Sequence, residues 1–304
     1  MLKLRRATVL QAGPADGPEQ NLTISLAGER RAAIADVGLV GSSVQGDDVI
    51  VNVQARDLGL GSGGFDIVHV NLTRGLAGEG VDGAHVMKLN YTSLQHAVQP
   101  VEDALTGETD GGAHPGGHTQ ADEFLSLPLQ RPVAVLALHG QLAAVTWAFA
   151  QVRPEARLGF VQTAGGALPG GHSRTVRTLR ERGLLAGHLT AGAAYGGEGE
   201  AISTAGALHH GLRTLGWDAA VCGPGPGIVG SSSSLGHGGM SALDSAHTAI
   251  ALGAQTLLVA RMSSADERPR HRGLSHHTLT VLDLLLEPLT VALPAGIRSP
   301  AGAD

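Results

Sequence analysis

The first hundred residues alternate between short apolar runs and turn-forming residues, a pattern typical of β structure. Five runs rich in Val, Ile, Leu and Thr are separated by Gly, Asp and Asn, namely ATVLQA, NLTISLAG, RRAAIADVG, DDVIVNVQA and FDIVHVNLT. In the fourth run Val49, Val51 and Val53 alternate with polar residues. Ile50 breaks the alternation and indicates a strand covered in part on both faces. The pattern predicts a small all-β barrel or sandwich domain over residues 1–102.

From residue 129 the pattern changes to near-continuous apolar runs separated by amphipathic segments. Six runs are predicted as buried strands, namely PVAVLAL, RLGFVQT, HLTAGAAY, WDAAVCGPG, QTLLVAR and PLTVAL. Segments between them, such as QLAAVTWAFAQV and SHHTLTVLDLLLE, have helical periodicity. Such alternation indicates a parallel sheet covered by helices on both faces. We therefore predict an α/β fold, a doubly wound, mainly parallel, Rossmann-like domain of about six strands over residues 129–304.

The segment between the two halves, residues 103–128, is polar and rich in Gly and Pro, as in a linker or long surface loop. It holds His114 and His118, four residues apart, a spacing that could chelate a metal on a helix. Pro115 and two glycines lie between them, so a helix is not expected there and a metal site is disfavoured.

Composition limits the location and the partners. The chain is 42% hydrophobic and 16% charged, with a formal net charge of −6, which argues against non-specific binding to nucleic acid or to an anionic membrane. A single cysteine, Cys222, allows no intramolecular disulfide and fits a reducing compartment. The apolar runs are too short for a transmembrane helix. We expect a cytoplasmic protein whose partner is a small anionic molecule, and homo-oligomerisation is left open.

The loop after the fourth predicted strand of the α/β half is rich in glycine and serine. Its G-x-G-x-x-G match, residues 225–230, follows the wrong strand and precedes its helix by too many residues for a dinucleotide fingerprint, so no NAD is expected. Its backbone N–H groups and hydroxyls can instead cradle a phosphate or carboxylate, and a crossover loop without a ligand is the alternative. The candidate ligand-binding residues here are Gly223, Gly225, Gly227, Gly230, Ser231 and Ser232.

The densest polar stretch follows the fifth strand, DERPRHRGLSHHTLT at residues 266–280. Ser275 is predicted to be the N-cap of the next helix. An anion site would use the arginines and the start of that helix, and its candidates are Arg268, Arg270, Arg272 and Ser275. A divalent metal site would use Asp266, His271 and His276, because side chains adjacent on a helix diverge and only one of the two neighbouring histidines is expected to join His271. A structural salt-bridge network is the third alternative. The candidate acid–base residues are His271, His276 and His277, with Glu198 or Glu200 as a second carboxyl group. Helix capping is the alternative for the two glutamates.

Three stretches carry a resemblance to a known family: HVMKLNYTSLQ, GPGIVGSSSSLGHGG and DERPRHRGLSHHTLT. Together they resemble the bacterial domain of unknown function 3866 family, over nearly the whole chain. The family has no assigned activity, so the resemblance implies a shared residue pattern rather than a reaction. That pattern comprises Gly223, Gly225, Gly227, Gly230, Arg268, Arg270, His271, Arg272, Ser275, His276 and His277.

These observations favour an enzyme, a hydrolase or transferase, acting on a small anionic or phosphorylated substrate at the carboxyl ends of the α/β sheet. A divalent metal cofactor is left open. The alternative is a non-enzymatic ligand-binding or regulatory protein that uses the same anion site.

Overall fold

A computed structural model describes residues 1–60, 63–105, 125–166 and 169–294, with backbone alone at 104 and 105. The chain forms two compact units, Met1–Val98 and Gln99–Asp304. His114 and His118 of the predicted linker lie outside the described residues.

The first unit is a closed five-stranded barrel, which confirms the barrel alternative. Its strands run β1 (Leu4–Ala12), β2 (Glu19–Leu26), β3 (Glu29–Asp36), β4 (Asp48–Asn52) and β5 (Asp66–Asn71). They pair in the order β1-β2-β3-β5-β4, and β4 pairs back onto β1. Two short helices, α1 (Val37–Val40) and α2 (Gln54–Asp57), connect strands, and a hairpin follows the barrel, β6 (Val86–Lys88) with β7 (His96–Val98).

The alternation seen in the sequence fills the barrel interior. Val49, Val51 and Val53 are almost completely buried in one apolar cluster with Val9 and other residues of the neighbouring strands. Successive side chains of a strand point to opposite faces, so these valines share the inner face.

The second unit is built on a seven-stranded sheet whose strand pairs are all parallel. The strands are β8 (Pro132–Leu136), β9 (Leu158–Thr163), β10 (Gly187–Ala191), β11 (Gly199–Ala201), β12 (Ala219–Pro224), β13 (Gln255–Val259) and β16 (Thr290–Ala292). Their order is β11-β10-β9-β12-β8-β13-β16, and a two-stranded ribbon, β14 (Met262–Ser263) with β15 (Gly273–Leu274), follows β13. The predicted α/β class is confirmed. About six strands were predicted, and the further strand of the sheet is β11, which has only three residues and no apolar run.

Helices cover both faces of the sheet. They are α3 (Leu142–Val152), α4 (Arg174–Glu181), α5 (Thr204–His209), α6 (Ser241–Ala251) and α7 (His276–Asp283). One apolar cluster joins a sheet face to α5, α6 and α7, and its members include Val133, Val135, Leu208, Ala246 and Val281. A second cluster joins sheet residues to α3 and α4, and its members include Leu136, Phe160, Leu142, Val176 and Leu179. Since Val135 and Leu136 are adjacent in β8, the two clusters occupy opposite faces.

A buried indole fixes the packing near the amino ends of the strands. α5 continues as a π-helical turn, residues 210–214, and Trp217 follows it with 1% of its surface exposed. A Cβ built on Gly159 would lie 2.0 Å from the Trp217 ring, and one on Gly211 would lie 2.4 Å from it. Only glycine leaves room for the indole at these positions.

Candidate metal centre

The glycine-rich loop after β12 folds back on itself. Gly230 and His237 form an antiparallel bridge, and the amide of Gly238 donates to the Val229 carbonyl at 2.8 Å. Within the turn, the Ser231 amide donates to the Gly236 carbonyl. The loop therefore has a paired neck, and the neck delivers His237 to the carboxyl edge of the sheet.

Two close contacts with neighbouring backbone fix the end of this neck that follows His237. A Cβ on Gly238 would meet the Gly165 carbonyl oxygen at 2.0 Å, so the loops after β9 and β12 cross with no room for a side chain. A Cβ on Gly239 would lie 2.9 Å from the Ala137 carbonyl oxygen and 3.0 Å from Nδ1 of His237. These contacts explain the sequence GHGG at this point and fix the position of the imidazole.

The start of α7 brings two more histidines to the same place. Ser275 is fully buried and caps the helix by accepting from the His277 amide at 3.3 Å. His276 and His277 follow in the first turn and are half-buried. The predicted N-cap is thus present, and it sets the two side chains at the helix end.

His237, His276 and His277 form a compact group. The ring centroids of His237 and His277 are stacked 3.9 Å apart, those of His237 and His276 lie 5.4 Å apart, and those of His276 and His277 lie 4.3 Å apart. One ligand atom from each residue lies within 4.8 Å of the others. Both adjacent histidines of α7 therefore face His237, whereas the sequence analysis expected only one of them to join a metal set. That group does not include Asp266 or His271.

The nitrogens of this group are enclosed and lack hydrogen-bond partners among the described residues. They are both ring nitrogens of His237, Nε2 of His276 and Nδ1 of His277. The Ser234 carbonyl favours protonation of His237 but is outside hydrogen-bonding geometry. A buried polar atom left without a partner costs roughly 1–3 kcal/mol, so three neighbouring rings in this state need an explanation.

The three imidazoles are held neutral. Burial and the neighbouring histidines lower the pKa of His277 to about 3. Burial, followed by the charge of Arg270, lowers the pKa of His276, and burial lowers that of His237. A neutral imidazole with a free lone pair is the form that ligates a metal ion.

His271 lies beside the group in a different role. Its centroid is 4.8 Å from that of His276 and 4.9 Å from that of His277. Its Nδ1 is hydrogen-bonded to Nη1 of Arg261 and lies 2.9 Å from Oγ of Ser275. A guanidinium has no acceptor, so Nδ1 must accept and the ring proton must be on Nε2. Burial, followed by the Arg261 charge, lowers the pKa of His271 to about 4, so the ring is neutral.

The arginines of the polar stretch divide into two kinds. Asp266 forms ion pairs at 3.0 Å with Arg261 and with Arg268, and its main-chain carbonyl accepts from Arg272. The Arg268 hydrogen bonds hold the Asp266 pKa well below its usual range. Arg270 is exposed and forms no ion pair with a described residue, while its charge acts on His276 and His237. The salt-bridge network is therefore present. Of the three predicted anion-binding arginines, Arg268 is paired with Asp266, and Arg272 is exposed with one long hydrogen bond of 3.4 Å. Arg270 has no ion pair among the described residues, and among the arginines its charge acts most strongly on His276.

The other predicted site residues lie away from the histidine group or stabilise the backbone of the glycine-rich loop. Glu198 pairs with Arg180 at 2.6 Å, and Glu200 of β11 accepts from the Gly196 amide at 2.6 Å. β11 is three strand positions from β12, about 14 Å at the usual spacing, so the structure does not bring these glutamates to the histidines.

The glycines and serines of the loop support the backbone. Gly223 and Gly225 pack against Leu136 and Gln162, where a Cβ would come within 2.9 Å and 2.3 Å. Gly227 has a φ of +81°, which favours glycine, and Gly230 belongs to the neck. Ser231 and Ser232 are exposed in the turn.

Sequence reasoning did not select His237 or Arg261. His237 is 39 residues before His276, and only the GHGG pattern beside a long loop could have suggested it. Arg261 follows a strand as an ordinary polar residue, and no motif around it in the sequence indicates its contact with His271.

Comparison with known proteins gives one result. Neither the curated proteins nor the solved structures provide a match. The structure described here contains no helix with the length and apolar character needed to cross a bilayer. A family model described as a protein of unknown function, DUF3866, matches residues 32–300, and it includes every residue of the histidine group. The chain belongs to the DUF3866 family.

Proposed function

We propose that this protein is a metal-dependent enzyme that binds a divalent transition metal through His237, His276 and His277 and acts on a small anionic substrate. The observation that carries the proposal is the set of enclosed, unpartnered nitrogens that converge from two separate segments. Three neutral imidazoles are a typical ligand set of catalytic zinc, in which the fourth position stays open for water or substrate.

The geometry needs only a small adjustment to hold such an ion. Bonds of about 2.0–2.1 Å in a tetrahedron place the nitrogens about 3.4 Å apart. The ligand atoms lie within 4.8 Å of one another, so modest rotations of the side chains would bring them to the ion. Both His276 and His277 lie on one turn of α7, and the neck of the glycine loop fixes His237 against them.

The expected chemistry is hydrolysis or group transfer. A metal ion in such a site polarises an oxygen of the substrate and makes a bound water a strong nucleophile near neutral pH. Arg270 supplies an uncompensated positive charge near His276, which suits a phosphate or carboxylate. A non-enzymatic protein that only binds an anion would use the same residues without turnover.

Native mass spectrometry of the purified protein, with and without added Zn²⁺ after chelation, tests the metal site. We expect one zinc per chain in the wild type and none in His237→Ala or in the double variant at positions 276 and 277. His247→Ala is the matched control, because His247 lies on α6 outside the group and accepts from the Leu286 amide. Equal zinc uptake by His237→Ala and the wild type would refute the site.

The enzymatic part needs its own measurement. We expect the zinc-loaded protein to hydrolyse p-nitrophenyl phosphate or p-nitrophenyl acetate above the rate of His237→Ala in the same buffer. Tight zinc binding with no turnover on these and related esters would favour the binding protein over the enzyme.

A further inference from the structure

The orientation of His271 shows what kind of group the proposed metal site receives. We propose that His271 is a fixed hydrogen-bond donor that, with Arg270, makes the open metal position selective for an oxyanion such as phosphate or carboxylate. The inference rests on the proposed metal site and deepens it by naming the class of ligand.

The first step is the proton on the ring. Nδ1 of His271 receives the Arg261 guanidinium, which can only donate. Nδ1 has no proton and one lone pair, so the Ser275 hydroxyl at 2.9 Å shares that lone pair with the Arg261 N–H as a second donor. Ser275 Oγ in turn accepts from Nη1 of Arg261 at 3.0 Å and from the His277 amide. Every hydrogen bond in this set agrees with one tautomer, in which the proton is on Nε2.

The second step is the rigidity of the arrangement. Arg261 is held by its ion pair with Asp266, and Asp266 is held by Arg268. His271 is 2% exposed. The antiparallel ribbon of β14 and β15 closes the segment that carries these residues. The tautomer of His271 is therefore set by the side chains of Arg261 and Ser275, neither of which is a proposed ligand of the metal.

The third step is the match to a ligand. With the lone pair of Nδ1 occupied, the polar function that His271 has left is the Nε2–H donor. The centroid of its ring lies less than 5 Å from the ring centroids of His276 and His277. A donor beside an open metal position stabilises a ligand that has spare lone pairs and negative charge, and gives nothing to a neutral ligand with one lone pair. Arg270 adds a positive charge that acts on His276. Both features select an anionic oxygen.

The tautomer can be measured without metal or substrate. A long-range ¹H–¹⁵N spectrum of the chelated protein, labelled on histidine, distinguishes a proton on Nε2 from one on Nδ1, and His271→Gln identifies the signal. We expect the Nε2–H form in the wild type. A proton on Nδ1 would overturn the inference whatever the metal does.

Ligand selectivity is measured on the Co²⁺-loaded protein, whose visible spectrum reports groups entering the open position. Phosphate is the anionic probe and imidazole is the neutral probe. We expect His271→Phe to weaken phosphate binding about tenfold or more, as for the loss of a hydrogen bond to a charged group, and to leave imidazole binding within about threefold. His271→Gln, which retains an N–H donor, should recover part of the phosphate affinity. Should His271→Phe fail to fold, Arg270→Met provides the same phosphate-to-imidazole comparison, with Arg272→Met as its control.

The outcomes separate this inference from the proposed function. Failure of the wild type to bind Co²⁺ removes the metal site, and the inference with it. Co²⁺ binding with equal losses of phosphate and imidazole in His271→Phe would retain the metal site and overturn the oxyanion role. A selective loss of phosphate supports both.

Discussion

Replacing His237 with leucine should stabilise the metal-free protein and destabilise the metal-loaded one. His237 is 7% exposed, and neither of its ring nitrogens has a hydrogen-bond partner among the described residues. Leucine is apolar and of similar size, so His237→Leu removes the buried polar atoms without opening a large cavity. A site built for a ligand, rather than for the fold, should respond in this way.

The size of the effect follows from the contacts. One buried nitrogen without a hydrogen-bond partner costs roughly 1–3 kcal/mol. The cost is taken for only one of the two His237 nitrogens, because the Ser234 carbonyl lies near the ring and partly compensates the other. The leucine loses the stacking on His277 at 3.9 Å, about 0.5–1.5 kcal/mol. The expected net gain for the metal-free variant is about 0.5–1.5 kcal/mol. With free zinc at one hundred times its dissociation constant, the wild type gains about 2.7 kcal/mol that the variant lacks. The order of stability should therefore reverse.

Urea unfolding followed by circular dichroism, in chelator and in zinc, measures both states. The control is His247→Leu, which removes the acceptor of the Leu286 amide and should destabilise the protein by the same amount in both buffers. If His237→Leu is less stable than the wild type in chelator by more than about 1 kcal/mol, the His237 nitrogens stabilise the fold and the prediction is wrong.

Three further predictions concern the surrounding structure. Gly159→Ala should cost about 2 kcal/mol or more in urea unfolding, because its Cβ would overlap the Trp217 ring, whereas Gly140→Ala, with open space at its Cβ, should cost little; equal losses would contradict the packing argument. Asp266→Asn should lower the melting temperature and loosen the His271 tautomer, seen as exchange in the ¹⁵N spectrum; a sharp, unchanged signal would show that the ion pairs are dispensable. Burial lowers the pKa of His188 to about 3, below its ordinary value of 6.5, so the unfolded chain binds one more proton between these values. The stability that His188 contributes is complete above pH 6.5 and falls by about 1.4 kcal/mol per pH unit on acidification towards pH 3. In chelator, the midpoint of urea unfolding should therefore depend less steeply on pH in His188→Asn than in the wild type. An identical slope in the two proteins would refute this prediction.

The fold was largely predictable because its strands have a clear pattern. The barrel strands alternate, and six of the seven sheet strands lie in near-continuous apolar runs bounded by turns. β11 was not predicted because its residues are glycine, glutamate and alanine. Its pairing with β10 depends on tertiary contacts such as the hydrogen bond between Thr190 and Glu200. Periodicity contains no information about such a strand.

The candidate site was predictable only in part. Because the segment before α7 follows a strand of the parallel sheet, His276 and His277 were predicted at the carboxyl edge of the sheet. The N-cap at Ser275 was also predicted from the sequence. The arrival of His237 depends on a loop that turns back through the neck at Gly230, and no local rule predicts where a loop of glycines and serines returns. The role of Arg270 also required the structure, since only the ion pairs show which arginines are already engaged.

The neck of the glycine loop has a consequence for how this chain can be altered. Because Gly230 pairs with His237 and the amide of Gly238 donates to Val229, the six residues between Gly230 and His237 form a tip beyond the neck, and the tip meets His237 through the Ser234 main-chain carbonyl. Ser231 to Leu235 are exposed. The side chains of the tip can thus change without moving the candidate ligands, because the backbone of the neck holds His237 in place. The tip is also the natural position for a fluorophore or an affinity tag that reports on the site without entering it.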